Sequence, residues 1–164
     1  FLSVKDVGGS LGYFFNNYFA LHGIYWRSLV SASSALKTFE NEIKSTTNTN
    51  EPKGFYGLQG SAGLLYGKLS LIGKSIIYFD LHLRGGLGQT ITETGNYLTP
   101  FLGLGQQIHL TKIFSLTLDY RYMRYSEDIR GKVAGTANFG KIVGNRVNTT
   151  DVITLGMVFS LDPF

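Results

Sequence analysis

The chain has 164 residues, 43% of them apolar, 14% aromatic and only 16% charged, with 21 Gly, 3 Pro and no Cys. That length suits one domain, residues 1–164, and the low charge with abundant aromatics excludes a disordered chain, a collagen and a coiled coil. The absence of Cys removes disulfide scaffolds and thiolate metal sites, and a net charge of +4 carried by Lys and Arg scattered from Lys5 to Arg146 leaves no massed footprint for nucleic acid. The sequence opens on Phe1 without a basic segment followed by an apolar core, so any leader peptide is expected to have been removed already or left out of this sequence.

The first uncharged stretch, Val7 to Trp26, is long enough for a membrane-spanning helix. Asn16, Asn17, His22 and several glycines interrupt it, which argues against one. Period two is the dominant signal. It gives segments at about residues 1–14, 18–30, 55–71, 75–88, 97–110, 114–125 and 151–161. In the fourth, Phe79, Leu81 and Leu83 alternate with Asp80, His82 and Arg84. In the sixth, Leu116, Leu118 and Tyr120 alternate with Thr117, Asp119 and Arg121, and in the last Leu155 and Phe159 alternate with Thr154, Gly156 and Ser160. Each segment therefore has an oily face and a polar one.

Tight turns are expected at Asn16-Asn17, Gly73-Lys74 and Thr111-Lys112, and long polar loops at 31–53, 89–96 and 126–150, with a short helix or ordered turn over Ser34–Lys44. Alternately short and long connections suit an all-β fold, a transmembrane antiparallel up-and-down β-barrel. A lipocalin-like barrel would alternate too, with its apolar face inside. The ionic triplet Asp80, His82, Arg84 and the aromatics near segment ends (Tyr25, Trp26, Phe55, Tyr56, Tyr97, Tyr122, Tyr125) favour the membrane orientation. Phe79, Leu81, Leu83, Leu116, Leu118, Tyr120, Leu155 and Phe159 are then expected to face lipid. Asp80, His82, Arg84, Asp119 and Arg121 are expected to form a lumen ionic network, with Asp80 level with Asp119 and His82 with Arg121. Eight strands are expected with about seven in this chain, so the closing strand lies upstream of Phe1 or comes from another chain.

The runs LLYGKLSL (Leu64–Leu71), FDLHL (Phe79–Leu83) with Gly85-Gly86-Leu87-Gly88, Gly103-Leu104-Gly105 and LTLDYR (Leu116–Arg121) resemble the small OmpA-like outer-membrane β-barrel domain family of bacteria. The resemblance implies an eight-stranded barrel in a Gram-negative outer membrane and carries over no catalytic residue. One departure is the C-terminus, where Met157, Phe159 and Leu161 are out of phase with Phe164, and Asp162-Pro163 suits a short tail.

No cofactor or metal is expected, since no carboxylate or His cluster has ligand spacing. None of His22, His82 and His109 falls in a Ser-containing motif such as G-x-S-x-G, although a Ser-His pair can be assembled from distant positions. Gly73-Lys74-Ser75 lacks the glycine that a phosphate loop needs at Lys68. The many glycines of the middle strands either relieve crowding by large interior side chains or form a flat exterior patch. The resulting expectation is a non-enzymatic outer-membrane anchor or scaffold, a subunit of a larger envelope complex. Its partners would be outer-membrane lipid, lipopolysaccharide and other envelope proteins, with no nucleic acid. A lipid-modifying barrel enzyme and a narrow ion channel are the alternatives.

Overall fold

The computed structural model describes residues 2–16, 18–32, 50–71, 75–130 and 140–161. Seven strands follow one another: β1 (Leu2–Phe14), β2 (Phe19–Ala32), β3 (Pro52–Leu71), β4 (Ser75–Thr92), β5 (Asn96–His109), β6 (Phe114–Arg130) and β7 (Ile142–Phe159). They form one antiparallel sheet in chain order, each strand paired with the next. The period-two pattern becomes burial directly: from Leu98 to Gln107 in β5, exposed and buried residues alternate without a break.

Local chemistry sets the connections. Asn16 Oδ1 accepts the amides of Tyr18 and Phe19 at 2.9 and 2.8 Å, and Thr111 Oγ1 accepts those of Ile113 and Phe114. The loop expected at 89–96 is instead a tight turn, because β4 runs on to Thr92, whose amide meets Gly95 O at 2.9 Å. The loop expected at 126–150 is also largely strand. β6 continues to Arg130 and β7 begins at Ile142, the alternation persisting through Tyr125 and Glu127. Pro100 sits where β5–β6 pairing begins at Phe101, so its missing N–H costs no bond to β6. The Ser34–Lys44 helix, the Gly73-Lys74 turn, Asn17 and the tail at Asp162, Pro163 and Phe164 lie outside the described residues.

The expected closed barrel does not form. Strand order ends at β1 and β7, and these two edges run 8 Å apart, whereas paired strands lie about 4.8 Å apart. The fold is an open, curled half-barrel of seven strands, not an eight-stranded transmembrane β-barrel. Hydrocarbon could not satisfy two edges that have no strand partner among the described residues, so nothing in the described fold supports membrane insertion. The expectations that rested on closure fall with it. These are the OmpA-like membership, the bacterial outer-membrane location, and partnership with lipid, lipopolysaccharide and other envelope proteins. The roles of anchor or scaffold, lipid-modifying barrel enzyme and narrow channel lose their basis in the same way.

At the top of β6 and β7 a buried carboxylate holds the extension. Glu127 is fully buried, accepts Arg146 Nε at 3.1 Å and takes Asn50 Nδ2 at 2.6 Å, tying the approach to β3 onto the far side of the sheet. Glu127→Ala is expected to destabilise by about 2 kcal/mol, less than a fully buried pair would cost because the half-exposed Arg146 regains water. Urea unfolding measures the loss, and amide exchange should rise selectively across Ile142–Val147.

Candidate functional site

The buried, concave face of the sheet is layered. One layer is apolar: Ile24, Phe55, Phe101 and Met123, with Trp26 and Val152 packed against them. Trp26 stacks on Phe55 at 4.3 Å, and Phe55 meets Phe101 edge-on at 5.7 Å. Trp26, Phe55 and Tyr125, read from sequence as part of an exterior aromatic girdle, therefore belong to the inward set. Phe79, Leu81, Leu83, Leu116, Leu118, Tyr120, Leu155 and Phe159 have the opposite parity and occupy the convex face. Leu155 and Phe159 are 79% and 71% exposed there, while Phe79, Leu81 and Leu116 are half-buried.

Next to the apolar layer is the charged one. Cross-strand register puts Arg84, Gly103 and Arg121 in one row and His82, Gly105 and Asp119 in the next, with Asp80 one row further on. The heights expected from counting along the strands are thus displaced by one inward-facing row. The displacement leaves the two arginines flanking a glycine. Asp119 Oδ2 receives Arg84 Nη1 at 2.6 Å and Arg121 Nη2 at 3.3 Å, while Oδ1 receives the Thr117 hydroxyl at 3.1 Å. Gly105 makes this possible: a Cβ there would come within 2.5 Å of Arg84 Nε, so the bare backbone lets the guanidinium lie across β5. Here, and at Gly86 and Gly88 beneath Phe101 and Phe55, glycine relieves crowding by large interior side chains.

Arg121 spans the interior. Its Nε reaches Gln59 on β3 at 3.0 Å, its Nη1 reaches Thr154 on β7 at 3.2 Å, and its guanidinium lies 5.9 Å from the Trp26 ring. Burial weakens the hold of both guanidiniums on their protons, and the Asp119 carboxylate works against that. One carboxylate thus serves two buried cations. Arg84 Nε is buried and has no hydrogen-bond partner among the described residues.

Towards the opposite rim the histidines form a relay that local sequence motifs could not show. His109 Nε2 lies 2.8 Å from Asp80 Oδ2, and its Nδ1 lies 2.9 Å from Ser115 Oγ. Nε2 donates to the Asp80 carboxylate, and in the neutral ring Nδ1 accepts from the Ser115 hydroxyl. These are the groups of a nucleophilic relay, but Ser115 is 2% exposed, and a substrate carbonyl must come within about 3 Å of the oxygen. The relay's two hydrogen bonds join β4, β5 and β6. His82 stands 3.9 Å from Asp80, and His22 Nε2 is 3.4 Å from Ser61 Oγ. The His22–Ser61 contact and the buried Gln59, Glu127 and Asn50 were not singled out from sequence. For Glu127 the signal was available, as the alternation from Asp119 through Tyr125 extends to it.

The third feature is the pair of edges. β1 and β7 are both odd in an alternating antiparallel order, so they run in the same direction. Neither contains Pro, and among the described residues neither has a strand on its outer side. Natural proteins usually protect edges of such length with charged side chains, Pro, bulges or a covering element, and here the described edges carry a few charges, Lys5 and Asp6 on β1 and Arg146 and Asp151 on β7, with one irregularity near the start of β7. Here the apolar Leu11 and Tyr13 of β1, and Ile153 and Leu155 of β7, stand fully outward beside the opening.

No family model matches the chain, and neither the curated proteins nor the solved structures contain a match to it. The motif resemblance to OmpA-like barrels accordingly gains no support from whole-chain comparison. Among the described residues no group of His, Asp or Glu is placed to hold a metal ion.

Two outcomes follow from the charged layer. Asp119→Asn strands two guanidiniums and is expected to cost about 3–5 kcal/mol in equilibrium unfolding. Arg84→Met or Arg121→Met should each cost less, since Asp119 keeps one partner; equal costs for all three would show that the carboxylate is not shared. The second outcome concerns pH. Burial first, then Arg84, holds His22 and His82 below the ordinary 6.5. The unfolded chain therefore binds more protons than the folded one as pH falls below that value, so stability is fully present above it and is lost on acidification. His82→Gln should flatten that fall in a pH series of urea midpoints.

Proposed function

We propose that the protein is a binding module that accepts an extended peptide segment as an eighth strand between β1 and β7. The observation that supports this best is the spacing of the edges. At 8 Å they are too far apart to bond to each other and close to the roughly 9.5 Å that two strand spacings require. Their common direction matters equally. A single strand running opposite to both would make antiparallel pairs on each side, completing the alternation of the sheet. Main-chain bonds to two edges provide affinity with little dependence on sequence, as in other cases of strand addition. The apolar side chains beside the opening select for outward apolar residues on the segment.

The test uses a synthetic 12-residue peptide alternating Val and Thr, and the same peptide with Pro at every second position. The alternating peptide is expected to bind one to one and to slow amide exchange in β1 and β7 together, leaving β3 to β5 unchanged. The proline version should not bind. Protection of one edge alone, or light scattering showing that two copies of the chain pair through these edges, would contradict the proposal.

A further inference from the structure

Resting on that reading, we infer that the accepted segment is one that carries an acidic side chain on its inward face, beside Thr154. The inference comes from the charge of the layer that reaches β7 through Arg121 and Thr154. Arg84 and Arg121 share Asp119, so this layer holds one more positive charge than negative in surroundings where all three side chains are nine-tenths or more buried. Uncompensated buried charge is costly, and Arg84 Nε remains there without a hydrogen-bond partner among the described residues. Asp80 does not supply the balance, being engaged one row away with His109 and His82. His22 and His82, held below their ordinary range by burial, favour the neutral ring and leave that surplus unchanged.

Geometry decides from which side compensation can come. On β5, Gly103 and Gly105 already lie in contact with neighbouring strands or side chains, and on β3 Gln59 is bonded to Arg121. Arg121, by contrast, already extends to the edge strand, where its Nη1 meets Thr154 Oγ1. A strand seated against β7 places one inward side chain beside Thr154, within reach of the same guanidinium. A carboxylate there would accept from Arg121 in a charge-assisted bond and neutralise the layer. A Lys at that place would meet two guanidiniums. On the outward face the same segment would continue the apolar surface of Leu11, Ile153 and Leu155.

The experiment compares four 12-residue peptides that alternate Val outward and Thr inward, differing in whether the central inward residue is Thr, Glu, Gln or Lys. The Glu peptide is expected to bind at least ten-fold tighter than the Lys peptide, with Thr and Gln between them. Raising salt should weaken the Glu peptide more than the Gln peptide. In Arg121→Met the Glu preference should collapse, and the salt comparison on the unaltered protein serves if that variant does not fold. Equal affinities for Glu and Lys, with edge protection retained, would overturn the acidic preference and leave strand acceptance standing. Absence of binding by all four would overturn strand acceptance itself.

Discussion

Two rows of backbone N–H and C=O groups, one on β1 and one on β7, face each other across 8 Å and find no partner in each other. Every other strand of the sheet has a paired neighbour on both sides, and the curl that brings the edges near follows from what the concave face must enclose. Large side chains there lie over glycines: Phe101 over Gly86, Phe55 over Gly88, and Arg84 over Gly105. These contacts bring the concave side of the sheet together, and the convex side carries the apolar half of every alternation. The sheet is thus bent towards closure and stops one strand short of it.

The charged layer follows from the same geometry. Cross-strand pairing places Arg84 and Arg121 in one row with a glycine between, and Asp119 one inward position from Arg121 on β6 and diagonal to Arg84 across β5. A buried carboxylate shared by two guanidiniums contributes less to stability than its short distances suggest, because desolvation opposes the attraction. Its effect on specificity is larger. It fixes how β4 and β6 sit across β5, and Arg121 carries the surplus charge to the edge at Thr154. The histidine contacts below and the Glu127 cluster above hold the two ends of the same strands, and between them the charged row reaches the edge strand through Arg121 and Thr154.

Much of this was legible in the sequence. Seven alternating segments and the two faces of each followed from period two, since a strand exposes successive side chains to opposite sides. Strand ends were less legible. β6 continues past Tyr125 and β7 begins well before Asp151 because Glu127 and Arg146 pair inside, and a run of charged and polar residues looks like a loop until its partner is known. The row offset between Asp80 and Asp119 depends on the turns and on β5 between them, which counting along single strands does not include. Trp26 and Phe55 were assigned to an exterior girdle by their place near strand ends, although Trp26 shares parity with the buried Ile24. Closure was not legible, and the sheet stays an open half-barrel. Alternation reports which way a side chain points, whereas closing a barrel depends on strand number and stagger across the whole sheet. Short motifs such as FDLHL carried a family resemblance without that information.

Cross-strand nuclear Overhauser contacts between α-protons test the unpaired edges most directly. In the free protein such contacts should join each strand to its neighbour in order from β1 to β7 and be absent between β1 and β7. After addition of the alternating peptide with central Glu, one peptide strand should show them to both β1 and β7. Direct contacts between β1 and β7 in the free protein, or a bound peptide in contact with one edge alone, would contradict a half-barrel built to receive a single strand.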